Sequence, residues 1–293
     1  MKKIKILIPV YNDWQSVFKL LENIDYGLEA WDDGVAHISV IIINDASTEE
    51  RPFNSIAFKS LKSLQIINMK NNKGHARCIA AGLKYISENN NFDLVIPMDA
   101  DGEDRPEEIE LLINTVLSEP SISVVAKRTK RHEGPLFLTL YHIHKYLTLL
   151  TTGKLINFGN YSCLTKNDLE ILSSKASLCS SFSGTFKKHI KKYNEINSIR
   201  GKRYFGFSHM SLFKLIIHSL CIMAVFKYRV FFTSILLMAV LQFLAILSNL
   251  NFLFLQIMLI LFNLFVFTVS FRESESELKN SKSNVKSIEN ITH

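Results

Sequence analysis

Residues 94–108 read LVIPMDADGEDRPEE, an apolar run that ends in Asp99, Asp101, Glu103 and Asp104. Carboxylates this close repel one another, so ionising all of them needs positive charge nearby. An Asp-x-Asp pair at the end of a buried strand supplies hard oxygen ligands for Mg²⁺ or Mn²⁺, and such ions bridge phosphate oxygens. The plainer alternative is a solvated acidic turn ahead of a helix that starts at Pro106 and Glu107. Two further acids, Asp13 and Asp45, also stand at the ends of apolar runs, which favours the metal reading.

The elements that would position these acids are legible along the first 120 residues. KIKILIPVY reads as a strand ending at Asn12-Asp13, followed by the helical pattern WQSVFKLLENI. HISVIIINDAST (37–48) and LKSLQIINMKNN are the next strands, and GHARCIAAGLKYISE (74–88) a helix. NFDLVIPMDADG is a fourth strand, with RPEEIELLINTVL a helix after it. Strands alternating with helices predict an α/β fold, a mostly parallel sheet with helices on both faces. Ligands of such sheets sit at the carboxyl ends of the strands. The strand-end carboxylates are therefore expected on one rim.

Composition divides the chain of 293 residues, which carries a formal charge of +7. Residues 1–209 are mixed in character and read as a catalytic domain. VFFTSILLMAVLQFLAILS (230–248) and FLFLQIMLILFNLFVFTVSF (252–271) are continuous apolar runs. Each is about 20 residues, the length of a helix that crosses a hydrocarbon core of roughly 30 Å. Lys227, Arg229 and Arg272 flank the pair and the linking loop is uncharged, so residues 229–271 are expected as a transmembrane hairpin with both flanks cytoplasmic. Residues 210–228 predict an interfacial juxtamembrane helix rather than a third span, because Lys214 and His218 interrupt the apolar pattern. Lys187, Lys188, Lys191, Lys192, Arg200, Lys202, Arg203, Lys214, Lys227 and Arg229 face one acid, Glu195, across that region. That charge suits anionic lipid head groups and phosphate-bearing substrates; nucleic acid could use the same charge, but a basic stretch leading directly into two apolar spans is better explained by lipid, so no nucleic acid is expected. Residues 272–293 read as a disordered cytoplasmic tail. The short N-terminal apolar run reads as a strand, not a signal peptide. Cys78, Cys163, Cys179 and Cys221 form no CxxC pair, which argues against a zinc site or disulfide framework. The chain is thus expected to be an integral membrane protein with its catalytic domain and both termini in the cytoplasm.

PVYND (9–13), INDAST (43–48), NNKGHARCIAAGL (71–83) and DADGEDRPEEI (99–109) together resemble the ordered motifs of family 2 glycosyltransferases with the GT-A, nucleotide-sugar-binding fold. AKRTKR (126–131), GNYSCL (159–164) and RYFGFSHM (203–210) extend the likeness more loosely. With the C-terminal spans, the chain most resembles the polyprenyl-phosphate glycosyltransferase branch, which includes dolichol-phosphate mannose synthase.

The resemblance implies roles for particular residues. Pro9, Tyr11 and Asp13 match the first nucleotide-binding turn. Asp45 matches the acid that accepts a hydrogen bond from the base, where a carboxylate binds more strongly than a hydroxyl. Asn72, Gly74 and Arg77 fit the third motif, with glycine allowing close backbone approach. Asp101 is implied as the metal ligand with Glu103 beside it, and Asp99 as a contact to the nucleotide sugar and, with Asp101, a catalytic residue. Arg128 and Arg131 match a pair that grips the acceptor phosphate, a task suited to a guanidinium fork; a basic surface loop is the alternative. Arg200, Arg203 and Ser208 match a segment that closes over the pyrophosphate. Two departures stand out. Ala46 replaces the usual glycine and fits poorly if its φ is positive. Asn160 stands where an acid often sits, which is consistent with an acceptor that is already an anion.

The resemblance thus implies a metal-dependent, inverting transferase using Mg²⁺ or Mn²⁺, with a UDP- or GDP-linked sugar as donor and a membrane-embedded polyprenyl phosphate as acceptor. Transfer to a hydroxyl of a lipid-linked glycan or cell-surface polysaccharide is the nearest alternative, and an inactive membrane scaffold the alternative of another class. Related enzymes can assemble through their membrane helices, so a homo-oligomer is compatible with the reading.

Overall fold

The computed structural model describes residues 1–29, 36–52, 58–130, 135–206 and 211–291. Four runs rich in Val, Ile and Leu form parallel strands: β1 (Lys2–Val10), β2 (Ala36–Asn44), β3 (Ser63–Met69) and β4 (Leu94–Pro97). They pair in the order β4-β1-β2-β3. The register sets Leu7 beside Pro97, Val10 beside Asn44 and Asn44 beside Asn68. β1, β2 and β3 therefore end level and β4 stops three residues short of them, and the loops that follow all four open on one rim.

Side-chain alternation divides the core between the two faces. Ile4, Ile6 and Ile8 pack with helices α1 (Trp14–Leu28) and α3 (Ile109–Ser118) on one face. Leu7 and Ile43 pack with α2 (His75–Asn89), whose Ile79, Leu83 and Ile86 supply the apolar stripe, on the other. Beyond β4 the sheet is no longer parallel. β5 (Val124–Lys130) and β6 (Phe158–Thr165) are antiparallel to each other, β6 also runs against β4, and β7 (Asn194–Ile199) is parallel to β5. The mostly parallel sheet of the sequence reading is thus a parallel centre with mixed flanks.

Helix α4 (Pro135–Thr152) leads to β6; α5 (Lys166–Ser173) and α6 (Phe182–His189) follow it. The segment expected as a juxtamembrane helix forms α7 (Leu212–Ala224). Its first half exposes Leu212, Phe213 and Ile216, while Leu220 to Ala224 are buried with Ile156, Val230 and Val266. α8 (Lys227–Ser248) and α9 (Leu253–Ser270) are both long and apolar enough to cross a membrane, with mean hydropathy of 2.5 and 2.3. Most of their large apolar side chains face outward. Lys227 and Glu273 pair at 2.8 Å and close the end of this hairpin nearest the sheet.

The tail departs from the disorder expected of residues 272–293. It forms α10 (Glu275–Lys279) and then β8 (Val285–Ile291), which pairs antiparallel with β3 from Leu64 opposite Ile291 to Asn68 opposite Ser287. The reason is edge satisfaction: β3 would otherwise present a row of unpaired backbone groups. A strand that covers an edge while facing water is polar, and its composition resembles that of a disordered segment. Asn68 donates to Glu289 at 2.6 Å and Gln65 to Asn290 at 2.8 Å, so side chains also fix the register.

Deleting residues 285–293 is expected to speed amide exchange across Leu64–Asn68 while leaving β1 and β4 protected, as read by hydrogen exchange with mass spectrometry.

Candidate functional site

The acid loop begins where β4 stops. Asp99 N–H donates to the Asp104 carboxylate at 2.9 Å, and Glu103 N–H to Asp101 Oδ1 at 3.0 Å, which folds residues 99–104 into a tight turn. Gly102 sits at φ +88°, and a Cβ there would lie 2.6 Å from the Tyr204 ring, so glycine is required twice over. An extended segment, residues 200–204, lies against this turn. Gly201 N–H donates to Glu103 O and Tyr204 N–H to Asp101 O, both at 2.9 Å. A Cβ on Gly201 would come within 2.3 Å of Gly102 O.

This packing delivers the positive charge that the acids need. Arg203 Nη1 bonds Asp101 Oδ2 at 2.9 Å while its Nη2 reaches Asp13. Arg200 pairs with Glu103. Arg128 Nη2 is 3.5 Å from Asp104 Oδ1. His75 Nε2 is 3.2 Å from Asp99 Oδ1, and the Asn160 amide donates to the same oxygen at 3.2 Å. Asp13, Asp99, Asp101, Glu103, Arg128, Arg200 and Arg203 are thereby gathered on one rim.

Burial and the neighbouring charges of Asp99 and Glu103 push Asp101 up to about 6, and burial with Asp99 pushes Asp104 up to about 7. For Asp99 burial acts upward too, but His75 and Arg128 outweigh it and hold the carboxyl well below the usual range. Each of the four acids thus has a cationic partner, and burial still holds Asp101 and Asp104 above the usual carboxylate range. Among the described residues no three His, Cys, Asp or Glu side chains converge on one point. Asp101 and Glu103 are two hard-oxygen groups whose partners here are the guanidinium groups of Arg203 and Arg200; the donor set suits Mg²⁺ or Mn²⁺ completing its shell with phosphate oxygens and water.

The side of the rim that the resemblance assigns to the nucleotide is built from the turns after β1 and β2. Asp45 N–H bonds Val10 O at 2.9 Å. Asn12, at φ +51°, accepts the Thr48 N–H through its side chain at 2.8 Å and donates its own N–H to Ser47 Oγ at 3.0 Å. Asp45 is 3% exposed, and its two oxygens accept the N–H groups of Lys73 and Gly74, each at 2.8 Å. Burial pushes its carboxyl up, partly offset by those two bonds. The acid implied as a base contact therefore also organises the following loop. Gly74 caps α2 at φ +86°, and the next residue is the His75 that meets Asp99. Asp45 and Asp99 are joined through residues 73–75.

Other implied residues fall as follows. Tyr11 is half exposed at the rim and Asn72 is exposed in the 71–74 loop. Pro9 is buried within β1 beside Ile43 and shapes the strand end from inside. Arg77 points away from the acids: its Nε bonds Glu277 at 2.6 Å and its Nη2 the Arg272 carbonyl at 3.4 Å. Arg131 and Ser208 lie outside the described residues. Sequence reasoning passed over His75, Tyr204 and Glu277. A histidine directly after the glycine cap of a nucleotide-type loop was the one available signal for the first; the other two depend on contacts across about a hundred residues or more.

Ala46 does adopt a left-handed φ of +57°. Ala46→Gly is expected to stabilise the protein by about 1 kcal/mol, from relief of roughly 1–2 kcal/mol of strain less the added chain entropy of glycine, read as a rise in Tm of ~2–4 °C. Gly201→Ala is expected to do the reverse, lowering Tm and detaching Arg200 and Arg203 from the acids, visible as increased trypsin cleavage after Arg200.

A family model described as glycosyl transferase family 2 matches residues 5–213. The chain is 30% identical over 231 residues to an undecaprenyl-phosphate 4-deoxy-4-formamido-L-arabinose transferase of Photorhabdus laumondii, covering 74% of this chain and 65% of that one. A protein of the same description from Erwinia tasmaniensis is 25% identical over 225 residues, with the same two coverages. The chain spans just under two thirds of the length of these curated relatives. Among solved structures, glucosyl-3-phosphoglycerate synthase of Mycobacterium tuberculosis, in complex with Mn²⁺, UDP-glucose and phosphoglyceric acid, superposes with a TM-score of 0.54 at 16% identity. It covers 78% of this chain and 80% of the synthase, and shows a shared fold.

Proposed function

The chain belongs to glycosyl transferase family 2, and we propose that it is a membrane-anchored, inverting transferase that moves a sugar from a UDP- or GDP-linked donor to a polyprenyl phosphate. One observation carries the reading: the segment whose arginines neutralise the acid rim, residues 200–204, is followed at Leu212 by the helix that leads into the apolar hairpin. The site for a diphosphate and the element that meets lipid are consecutive in the chain. The relatives named for undecaprenyl phosphate support such an acceptor, and the Mn²⁺ and UDP-glucose of the structural neighbour support such a donor.

Asp101 and Glu103 would hold Mg²⁺ or Mn²⁺, whose charge would stabilise the departing diphosphate. Arg200 and Arg203, beside the same acids, bring guanidinium groups to where phosphate oxygens gather. Asp99, kept ionised by His75 and Arg128, accepts hydrogen bonds from the sugar or ribose hydroxyls. Asp13, Asp45, Tyr11, Asn72 and Gly74 line the nucleoside end. Arg128 sits 3.5 Å from Asp104 and is 19% exposed, so it steadies the acid loop at least as much as it reaches an acceptor. A phosphate acceptor is an anion at neutral pH and needs no general base, which accords with the uncharged Asn160.

The hairpin returns the chain to the domain, so the domain and both described ends lie on one side of it. Lys227, Arg229 and Arg272 at that end support a cytoplasmic location for this side.

The test is transfer of label from UDP- and GDP-sugars to undecaprenyl phosphate by the purified chain in detergent. Transfer that stops with EDTA and returns with Mn²⁺ is expected, and Asp101→Ala should lower kcat by about a thousandfold. Label that reaches only hydroxyls of lipid-linked glycans supports the alternative acceptor; no binding of any sugar nucleotide removes the transferase reading.

A further inference from the structure

The tail does more than cover an edge. Between α2, the end of β3 and residues 274–284 lies a cavity of about 510 Å³, within the ~300–1,000 Å³ typical of small-molecule sites. Asp45, Asn71 and Arg77 are in one wall; Glu277, Asn280 and Asn284 are in the other. Asp45 anchors the loop assigned above to the nucleoside, so the cavity opens beside that end of the donor.

The tail holds this loop from outside. Lys70 N–H donates to Asn284 O at 2.6 Å, and Lys70 Nζ to Ser283 O at 2.7 Å. The Asn284 amide donates to Asn71 O at 3.2 Å. One carboxylate, Glu277, binds Arg77 Nε at 2.6 Å through one oxygen and Lys73 Nζ at 3.3 Å through the other. Lys73 is also the residue whose N–H bonds Asp45. Loop 70–74 is thus clamped between Asp45 on its inner side and the tail on its outer side.

We infer that residues 274–284 form a wall of the donor site, with Glu277 as a positioning residue that sets Lys73, and with it the Asp45 loop, for the nucleoside of a nucleoside diphosphate. This rests on the donor reading above. The wall reaches its place only after the chain has passed through both apolar helices, and the Lys227–Glu273 pair fixes the point of return. Donor affinity therefore depends on a correctly formed hairpin. The carboxamide of Asn280 and the serine hydroxyls at 276 and 281 give this wall donors and acceptors suited to a base edge or ribose.

The experiment titrates UDP and GDP by calorimetry into the full chain in nanodiscs with Mn²⁺, for wild type, Glu277→Gln and Glu277→Asp. Removing a charge-assisted bond is expected to weaken binding of the preferred nucleotide, and to raise the donor KM, by about tenfold. The acceptor KM is expected to hold and kcat to stay within about twofold, with Glu277→Asp recovering most of the loss. A merely structural role would lower kcat and Tm together and would not be rescued by aspartate. If Glu277→Gln melts early, Asn280→Ala decides instead: weaker nucleotide binding supports the inference and unchanged binding overturns it. Wild type that binds nucleotide equally well as Glu277→Gln overturns this inference alone; wild type that binds neither nucleotide overturns the donor reading with it.

Discussion

The fold is organised around the neutralisation of a six-residue loop. Asp99, Asp101, Glu103 and Asp104 stay together because His75, Arg128 and the Arg200–Arg203 segment arrive from three other places in the chain. Buried ion pairs add little net stability, because each charge gives up hydration, but removing one partner costs about 3–5 kcal/mol by stranding the other. The acid loop and residues 200–204 are therefore mutually obligate. Their backbone bonds at Gly201 and Tyr204, and the two glycines that leave no room for a Cβ, hold them in register. Since the second segment runs on toward α7, the rim and the apolar hairpin form one connected unit.

The parts of this arrangement visible in the sequence are those written locally. Runs such as KILIPV and VIIIN announce buried parallel strands by their unbroken apolar character, and the acids at their ends announce the rim. The two apolar stretches mark the hairpin to within a few residues. The pairing of charges carries no local mark: Arg203 meets Asp13 across 190 positions, and no periodicity encodes that. Arg77 lies in a nucleotide-type motif, yet a glutamate two hundred residues later claims it. The reversal at β6 is equally silent, because an antiparallel strand buried on a sheet reads like a parallel one.

β8 was hidden for a different reason. Polar pairs, Asn68 with Ser287 and Glu289 and Gln65 with Asn290, alternate with apolar ones, Met69 with Val285, Ile67 with Ile288 and Leu64 with Ile291, and apolar residues spaced by three among polar ones show no strand period of two. Arg51 adds an ion pair to Glu289 at 2.9 Å. A Ser, Glu, Lys and Asn composition describes either a solvated coil or the outermost strand of a sheet. What separates the two is whether an open edge waits within reach, and that is a property of the fold. The hairpin supplies the reach by bringing Glu273 back to Lys227.

The carboxylates of the rim also fall into two kinds that the sequence presents as one. Asp45 and Asp104 are 3% exposed and spend their oxygens on backbone N–H groups of neighbouring loops, Lys73 and Gly74 for the first and Asp99 for the second. They hold the loops in shape. Asp13, Asp99 and Glu103 have side chains 18–24% exposed and face groups that are mobile by nature, guanidinium and imidazole; Asp101 does both, accepting the Glu103 N–H through one oxygen and Arg203 through the other. An acid tied to a backbone amide cannot change partner without unfolding its turn, whereas one tied to a long side chain can. The density of acids in DADGED thus reflects a division of labour in which Asp104 and one oxygen of Asp101 build the turn, while Asp99, Glu103 and the other oxygen of Asp101 keep side-chain partners they can exchange.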